Sequence, residues 1–448
     1  MNASSPAVLP AERLALLYHL SQTFNSSLEM DDVLVTLIDE MITATRAERG
    51  FVLLKGDEGQ LVFQTARDNQ RADIPTPEME ISCGVIDQVM AEGNAVLTQD
   101  AQVDSRFSGM QSVAFLGITS IICAPLKARE ISLGVVYIES RMKAGLFKEA
   151  DLELVNAISS TAAIAIDNAR LYRMAVEKAR LERELQVARE VQKTFLPEEI
   201  FQPQGWEIQP FMEPAREVGG DFYDVFPLGY QRRIGFVMAD VVDKGVGAAM
   251  FMALFRSLIR AFTEQNFSAE MNRSHQAALQ AVIKQTNDYI ARTHGSTSMF
   301  ATIFLGILDP QTGELLYVNG GHEPPILLGV SGAPGNGRSG GGSVRARLAP
   351  TGPAVGLFPG VDFDVQTERL APGETLLAFT DGVLDALNPQ GESFGQARLE
   401  ALATSCSCPA VELVVGVRAG LQEHIQERAQ YDDITLLAIK RTIDPRGF

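Results

Sequence analysis

Aspartates recur at the ends of short apolar runs in the second half of this 448-residue chain, and few folds can tolerate that arrangement. Ile234 to Ala239 and Thr375 to Thr380 read as buried strands. Each runs into an aspartate and a turn, Asp240-Val241-Val242-Asp243-Lys244-Gly245 in the first case and Asp381-Gly382 in the second. Gly219-Gly220-Asp221-Phe222-Tyr223-Asp224 and Tyr431-Asp432-Asp433-Ile434-Thr435 add two further clusters. Carboxylates at the ends of core strands repel one another, and an unpaired charge is costly to bury. Basic neighbours are scarce, with Lys244 after one cluster and Arg216 before another. A divalent cation meets the need. Oxygen donors without adjacent His or Cys select Mg²⁺ or Mn²⁺ over zinc, and the chain has only five His and four Cys. Several carboxylates can hold two such ions roughly 3.5–4 Å apart, an arrangement that activates a water and clamps a phosphoryl group. The donor set therefore points to hydrolysis of a phosphate ester.

Every one of these residues also has a purely structural reading. Asp240 precedes the helix-like stretch from Gly247 to Met252 and could be only its cap. Taken as an ordered set, the clusters point to metal binding instead. Asp224, Asp243, Asp385 and Asp433 are expected to be supporting or solvated rather than ligands. His322, between two glycines and Glu323-Pro324-Pro325, reads as a turn residue and not a base. Cys123 and Arg129 have the Cys-x5-Arg spacing of cysteine-dependent phosphatases, but the residues between them contain no glycine. An apolar run leads straight into Cys123, which is expected to be a small buried hydrophobe.

The motifs in order resemble the metal-dependent serine/threonine phosphatases of the protein phosphatase 2C superfamily, in the bacterial branch of sporulation stage II E type. The resemblance spans about residues 186 to 441. It rests on Ala188-Arg189-Glu190-Val191-Gln192 with Leu196-Pro197, on Glu217 to Asp224, on Asn319-Gly320-Gly321-His322 with Pro324-Pro325, on Thr380-Asp381-Gly382, and on Asp432-Asp433-Ile434-Thr435. It implies that Asp240 bridges two ions, that the Val241 carbonyl binds one of them and that Asp381 and Asp432 bind the other. Asp221 would bind an ion or hydrogen-bond a water on it. Asp240, Asp381 and Asp432 would then be catalytic through the ions and a water. No separate cofactor-binding residues are implied. The family often has Gly or Ser where this chain has Val242 and Asp243.

Residues 1–168 read as a separate α/β domain, with helices at about 11–24, 31–46 and 85–92 and strands near 50–55, 60–66, 118–127 and 131–139. The order resembles a GAF domain, carried by Arg49 to Leu54, Ser120 to Leu126, Gly134 to Glu139, and Phe147 with Asp151. Met142 and Leu152 replace the Asn and Glu of the cyclic-nucleotide signature, and neither Cys83 nor Cys123 has a bilin context. Such a domain senses a small molecule or a protein, or serves only dimerisation. From Glu149 to Leu196 there is no Gly or Pro, which predicts one long helix. Leu171, Ala175, Lys178, Leu185, Ala188, Gln192 and Phe195 form a short, imperfect coiled-coil seam along it. A solvated spacer is the alternative. Ser331 to Ser343 reads as a low-complexity loop.

Composition narrows the class further. The length accommodates about three units of roughly 150 residues, and 46% hydrophobic with 21% charged residues is an ordinary globular balance. A net charge of −18 argues against nucleic-acid or anionic-membrane surfaces. No basic-then-apolar leader and no run of about 18 apolar residues appears, so a cytoplasmic location without a membrane partner is expected. Cys406-Ser407-Cys408 is too tightly spaced to bridge easily.

The expectation is an α/β multidomain protein. A GAF-like α/β domain (1–168) is joined by a helical linker, read as a coiled coil (169–197), to an α-β-β-α sandwich phosphatase domain (198–448). The enzyme would use two Mn²⁺ or Mg²⁺ ions to hydrolyse phosphoserine or phosphothreonine on a signalling protein, such as an anti-sigma-factor antagonist, as a homodimer regulated through the GAF-like domain. Two rivals are a catalytically dead scaffold and a metal phosphodiesterase. The full aspartate set opposes the first, and the lack of His-Asp pairs opposes the second.

Overall fold

The computed structural model describes residues 11–26, 29–56, 58–104, 106, 116–229, 232–268, 274–330, 342–405 and 408–443. The chain divides between Arg180 and Leu181 into two compact units. In the first, one antiparallel sheet has the order β2-β1-β5-β4-β3, made of β1 (Arg49–Lys55), β2 (Leu61–Asp68), β3 (Val96–Thr98), β4 (Ser120–Ala128) and β5 (Ile131–Ser140). Helices α1 (Ala11–Ser26), α2 (Met30–Thr45) and the start of α4 (Glu149–Lys193) cover one face through Leu20, Leu37, Ile38, Val155 and Ile158. Helix α3 (Cys83–Glu92) covers the other through Val85 and Val89, against Phe51 and Tyr137. Every element predicted for this domain is present, and the three-residue β3 was too short to show a period. Cys123 lies on the α3 face, fully buried, and burial pushes its thiol pKa far up. That excludes the thiolate a cysteine phosphatase needs.

Helix α4 runs for 45 residues. It ends three residues before the predicted Leu196, where Thr194, Phe195 and Leu196 tighten into i to i−3 hydrogen bonds ahead of Pro197. Leu171 of the predicted seam is exposed, as is Leu181 between the seam positions Lys178 and Leu185. Gln192 is not on a solvent-facing seam. Its side chain is buried, donating from Nε2 to the Gly219 carbonyl at 2.6 Å and accepting at Oε1 from the Gly219 N–H at 3.2 Å. Phe195 likewise packs into the second unit's core.

The second unit is a four-layer sandwich. One sheet has the order β13-β10-β9-β8-β7 and the other β12-β11-β14-β15-β6. The first is built from β7 (Phe222–Leu228), β8 (Arg233–Val241), β9 (Ala301–Leu308), β10 (Glu314–Gly320) and β13 (Gln366–Arg369). The second contains β6 (Trp206–Glu213), β11 (Ile326–Val330), β12 (Gly342–Arg347), β14 (Thr375–Phe379) and β15 (Ile434–Arg441). Side chains alternate along each strand. On β8, Ile234, Phe236 and Met238 point between the sheets, while Val237, Ala239 and Val241 face α5 (Val246–Asn266) and α6 (His275–Thr293). On β14 and β15, Leu376, Ala378, Leu437 and Ile439 point inward, while Leu377, Phe379, Leu436 and Ala438 face α7 (Gly395–Thr404) and α8 (Ala410–Ile425). Both faces of each sheet are thus apolar, which explains the near-continuous hydrophobic runs in the sequence.

The same parity turns Asp224 outward. It is fully buried beneath α5, where it accepts from Arg260 at 2.7 and 2.9 Å and pairs with Arg256 at 3.1 Å. Among the described helices, α5 is long and apolar enough to cross a membrane by length and composition alone, and Ala248, Met252, Phe255 and Ile259 on it are buried in the core. The predicted loop of 331–343 lies outside the described residues up to 341, and Gly342 already begins β12. Cys83 and Cys123 are free and Cys408 is disulfide-bonded, while Cys406 and Ser407 of the tightly spaced pair lie outside the described residues. Asp224→Ala would leave Arg256 and Arg260 facing each other without a counter-charge. It should destabilise the protein by about 3 kcal/mol, measurable as a fall in the denaturant midpoint.

Candidate metal centre

The alternation that fills the core also sets up the site. Asp240 continues the inward row of Ile234, Phe236 and Met238 at the end of β8. The antiparallel register Phe222↔Ala239 brings Asp221 across from it. Thr380, one residue past β14, and Thr435, in β15, have inward parity at the same end, and their hydroxyls donate to Asp221 Oδ2 at 2.7 and 2.6 Å. Asp381 begins a single helical turn, Asp381–Leu384, directly after Thr380. Asp432 lies two residues ahead of β15. Four carboxylates from two sheets therefore gather at one end of the sandwich.

Their electrostatics record the crowding. Burial, then the charges of Asp381 and Asp432, push the Asp240 carboxyl up to about 7. Burial, then Asp240, raise Asp221 well above the usual carboxylate range, with the two threonine hydroxyls opposing. Burial, then Asp432, raise Asp381. Burial, with the charges of Asp381 and Asp385, also raises the nearby Glu323. The Asp240 cap reading fails, because the N-cap of α5 is Gly245.

Two glycines show how tightly the loops close. A Cβ on Gly220 would sit 2.7 Å from the Val241 carbonyl oxygen, so that carbonyl is held against the Asp221 loop. A Cβ on Gly382 would overlap the carbonyl oxygen of Asp433. Asp433, expected to be supporting, is a buried clasp. Its Oδ1 accepts from Ala215 N at 2.8 Å, and its Oδ2 accepts from Gly220 N at 2.9 Å and Asp221 N at 3.4 Å. Asp243 and Asp385 make no comparable contact with the cluster's backbone. His322 lies in the expected turn, directly after Gly321 at φ +71°. It is buried, its Nδ1 lies 2.9 Å from Thr302 Oγ1, and burial lowers its pKa to about 4, which leaves a neutral imidazole.

The donor set fits hard divalent ions, being all oxygen and short of positive charge. Among the described residues no three such side chains already converge into a ready-made cage. The cationic neighbour present is Lys244, whose Nζ is 2.9 Å from Asp432 Oδ2. Sequence reasoning named the carboxylates but missed Thr380, Thr435, Gln192 and the docking of Lys244. Strand parity, counted from the apolar residues, was the signal that would have found the threonines.

Family models identify in this chain a SpoIIE-type phosphatase domain of the protein phosphatase 2C class and a GAF domain. Residues 230–442 match the family model described as stage II sporulation protein E (SpoIIE), and residues 29–166 match the GAF domain model. Over 274 residues the chain is 39% identical to Protein IcfG of Synechocystis sp., covering 58% of this chain and 41% of that relative's length. It is 24% identical over 261 residues to Phosphoserine phosphatase RsbU of Bacillus subtilis, covering 58% of this chain and 70% of the relative. The SiaA-PP2C domain of Pseudomonas aeruginosa aligns at 22% identity with a TM-score of 0.48, covering 60% of this chain and all (100%) of that domain. Phosphatases of the protein phosphatase 2C class are metal-dependent.

A carboxyl held near 7 when folded, against about 3.9 when unfolded, contributes stability below pH 4 that is lost as pH rises through 7. In excess chelator the wild type should therefore melt lower at pH 8 than at pH 5. Asp240→Asn removes that titration, so its melting temperature in chelator should exceed the wild type's at pH 8 and change less with pH. Calorimetry at the two pH values checks both statements.

Proposed function

We propose that this chain is a metal-dependent protein phosphatase that hydrolyses phosphoserine or phosphothreonine on a signalling protein, with an anti-sigma-factor antagonist as the substrate class. The observation that carries this reading is the gathering of buried Asp221 with the partly buried Asp240, Asp381 and Asp432, from both sheets, into one mutually repelling carboxylate cluster. Asp240, Asp381, Asp432 and the Val241 carbonyl would hold two Mn²⁺ or Mg²⁺ ions, and Asp221 completes the set. When bound, such ions supply a nucleophile from water near neutral pH and positive charge for the phosphoryl oxygens. The chain's own groups do the rest. Asp433 fixes the Asp221 loop, Thr380 and Thr435 orient the Asp221 carboxylate, and the inward parity of β8 fixes Asp240. The relative RsbU carries the name phosphoserine phosphatase, which supports a phosphoserine substrate.

Regulation belongs to the same reading. Residues 1–168 would sense a small molecule or a protein, 169–197 would act as a dimerising helical linker, and 198–448 would be catalytic, in the cytoplasm and without nucleic-acid or membrane partners. The exposed apolar residues Leu171, Met174 and Leu181 suit a homodimer seam. Gln192, at the end of the same helix, grips Gly219 two residues ahead of Asp221. A change in helix register would thus reach the site through one residue, as a shift between two arrangements.

Turnover of a phosphoserine protein should require Mn²⁺ or Mg²⁺ and vanish in chelator, while Cys123→Ser stays fully active. Asp240→Asn and Asp381→Asn should each reduce turnover by at least about a hundredfold. Chelator-resistant activity, or a purified chain inert with every metal, would overturn the proposal. Inserting four residues near Glu184 turns the downstream helix by about 40°, so it should alter both turnover and its response to dimerisation. Equal activity and oligomeric state in the insertion variant would leave the linker a passive spacer.

A further inference from the structure

The turn between β8 and α5 holds an unusual backbone. Asp243 has φ +75°, in the left-handed region that side chains other than glycine avoid, and Gly245 follows at φ +84°. The Asp243 carboxylate steadies its own turn by accepting from Lys244 N at 2.8 Å. Lys244 is thereby thrown across to a loop 187 residues further on. There its ammonium meets three separate electron-rich groups. It donates to Asp432 Oδ2 at 2.9 Å and to the Tyr431 carbonyl oxygen at 2.6 Å, and it lies 3.8 Å from the centroid of the Tyr431 ring. Tyr431 as a whole is 75% exposed. An aromatic side chain so open to solvent is otherwise unexplained, whereas as one wall of a cation seat it has a role.

This seat and the proposed metal centre share one carboxylate. An Mn²⁺ or Mg²⁺ ion on Asp432 Oδ2 would lie about 2.1 Å from that oxygen. With Nζ 2.9 Å from the same oxygen, ion and ammonium could then be no more than about 5 Å apart. A dication and an ammonium that close repel strongly in a partly buried site. We propose that Lys244 is a built-in counter-ion that competes with the ion at Asp432 and Asp381, so that loading of that ion requires the lysine to leave its seat. The proposal rests on the metal-centre reading above and adds to it a residue that sets how readily the centre fills. By linkage, anything that pulls Lys244 off Tyr431 and Asp432 tightens metal binding by the same factor.

The test is calorimetric titration of Mn²⁺ into the full-length chain freed of metal, with thermal unfolding as a check of folding. Lys244→Met keeps the stem and removes the charge. It should bind the more weakly held ion about tenfold tighter than wild type, because the substitution abolishes the exposed ion pair and the cation–π interaction at once. Tyr431→Leu removes the ring but keeps Asp432 and the backbone carbonyl, and should tighten binding by about threefold. Lys244→Arg, which retains the charge, should stay within about twofold of wild type. Equal or weaker Mn²⁺ binding by a folded Lys244→Met would overturn the proposal while leaving the metal centre intact. A wild-type chain that takes up no Mn²⁺ in the same titration would overturn the metal-centre reading itself.

Discussion

Four like charges held at one end of a two-sheet core are a standing electrostatic cost, and much of the second unit is arranged around it. Each strand contributes what its parity allows. Inward positions carry Asp240 and the two threonines that bind Asp221, and the outward Asp224 is neutralised by arginines on α5. Backbone amides of Ala215, Gly220 and Asp221 converge on Asp433. What remains uncompensated is a cluster in which Asp221, Asp240 and Asp381 are pushed toward protonation. In the absence of a dication the chain's own lysine supplies part of the missing charge. A fold that buried these groups for stability alone would have been better served by apolar residues of similar volume.

The sequence made the carboxylates legible because each lies beside an apolar run, and such runs end where a core ends. It made α4 legible through the absence of Gly and Pro. It left the partners illegible, since they are contacts between distant segments: Thr380 and Thr435 reach Asp221 across 159 and 214 positions. Gln192 shows the same failure in another form. Its heptad spacing fits a seam, but the residue is buried against Gly219, because the helix has by then entered the second unit's core. Asp224 was expected to be supporting or solvated, and the arginines that pair with it were not legible because they lie on α5, Arg260 being 36 positions further on. His322 read as a turn from its glycines, and Gly321 does turn the chain at φ +71°, but the burial of its ring was not legible.

Strand β15 lies between β14 and β6, so the second sheet is completed by the strand that also carries Thr435 and follows Asp432 and Asp433. Asp433 then closes contacts to residues 218, 213 and 212 positions earlier. Contacts of such span form late, because loop closure must precede any return from them. During synthesis the Asp221 and Asp240 segments therefore emerge long before the groups that orient them. A ribosome-bound or truncated chain would hold loose carboxylates on unfinished sheets, without the threonines and the Asp433 clasp that orient them. The candidate site is assembled only with the insertion of β15, so its geometry is itself a sign that the domain has been completed.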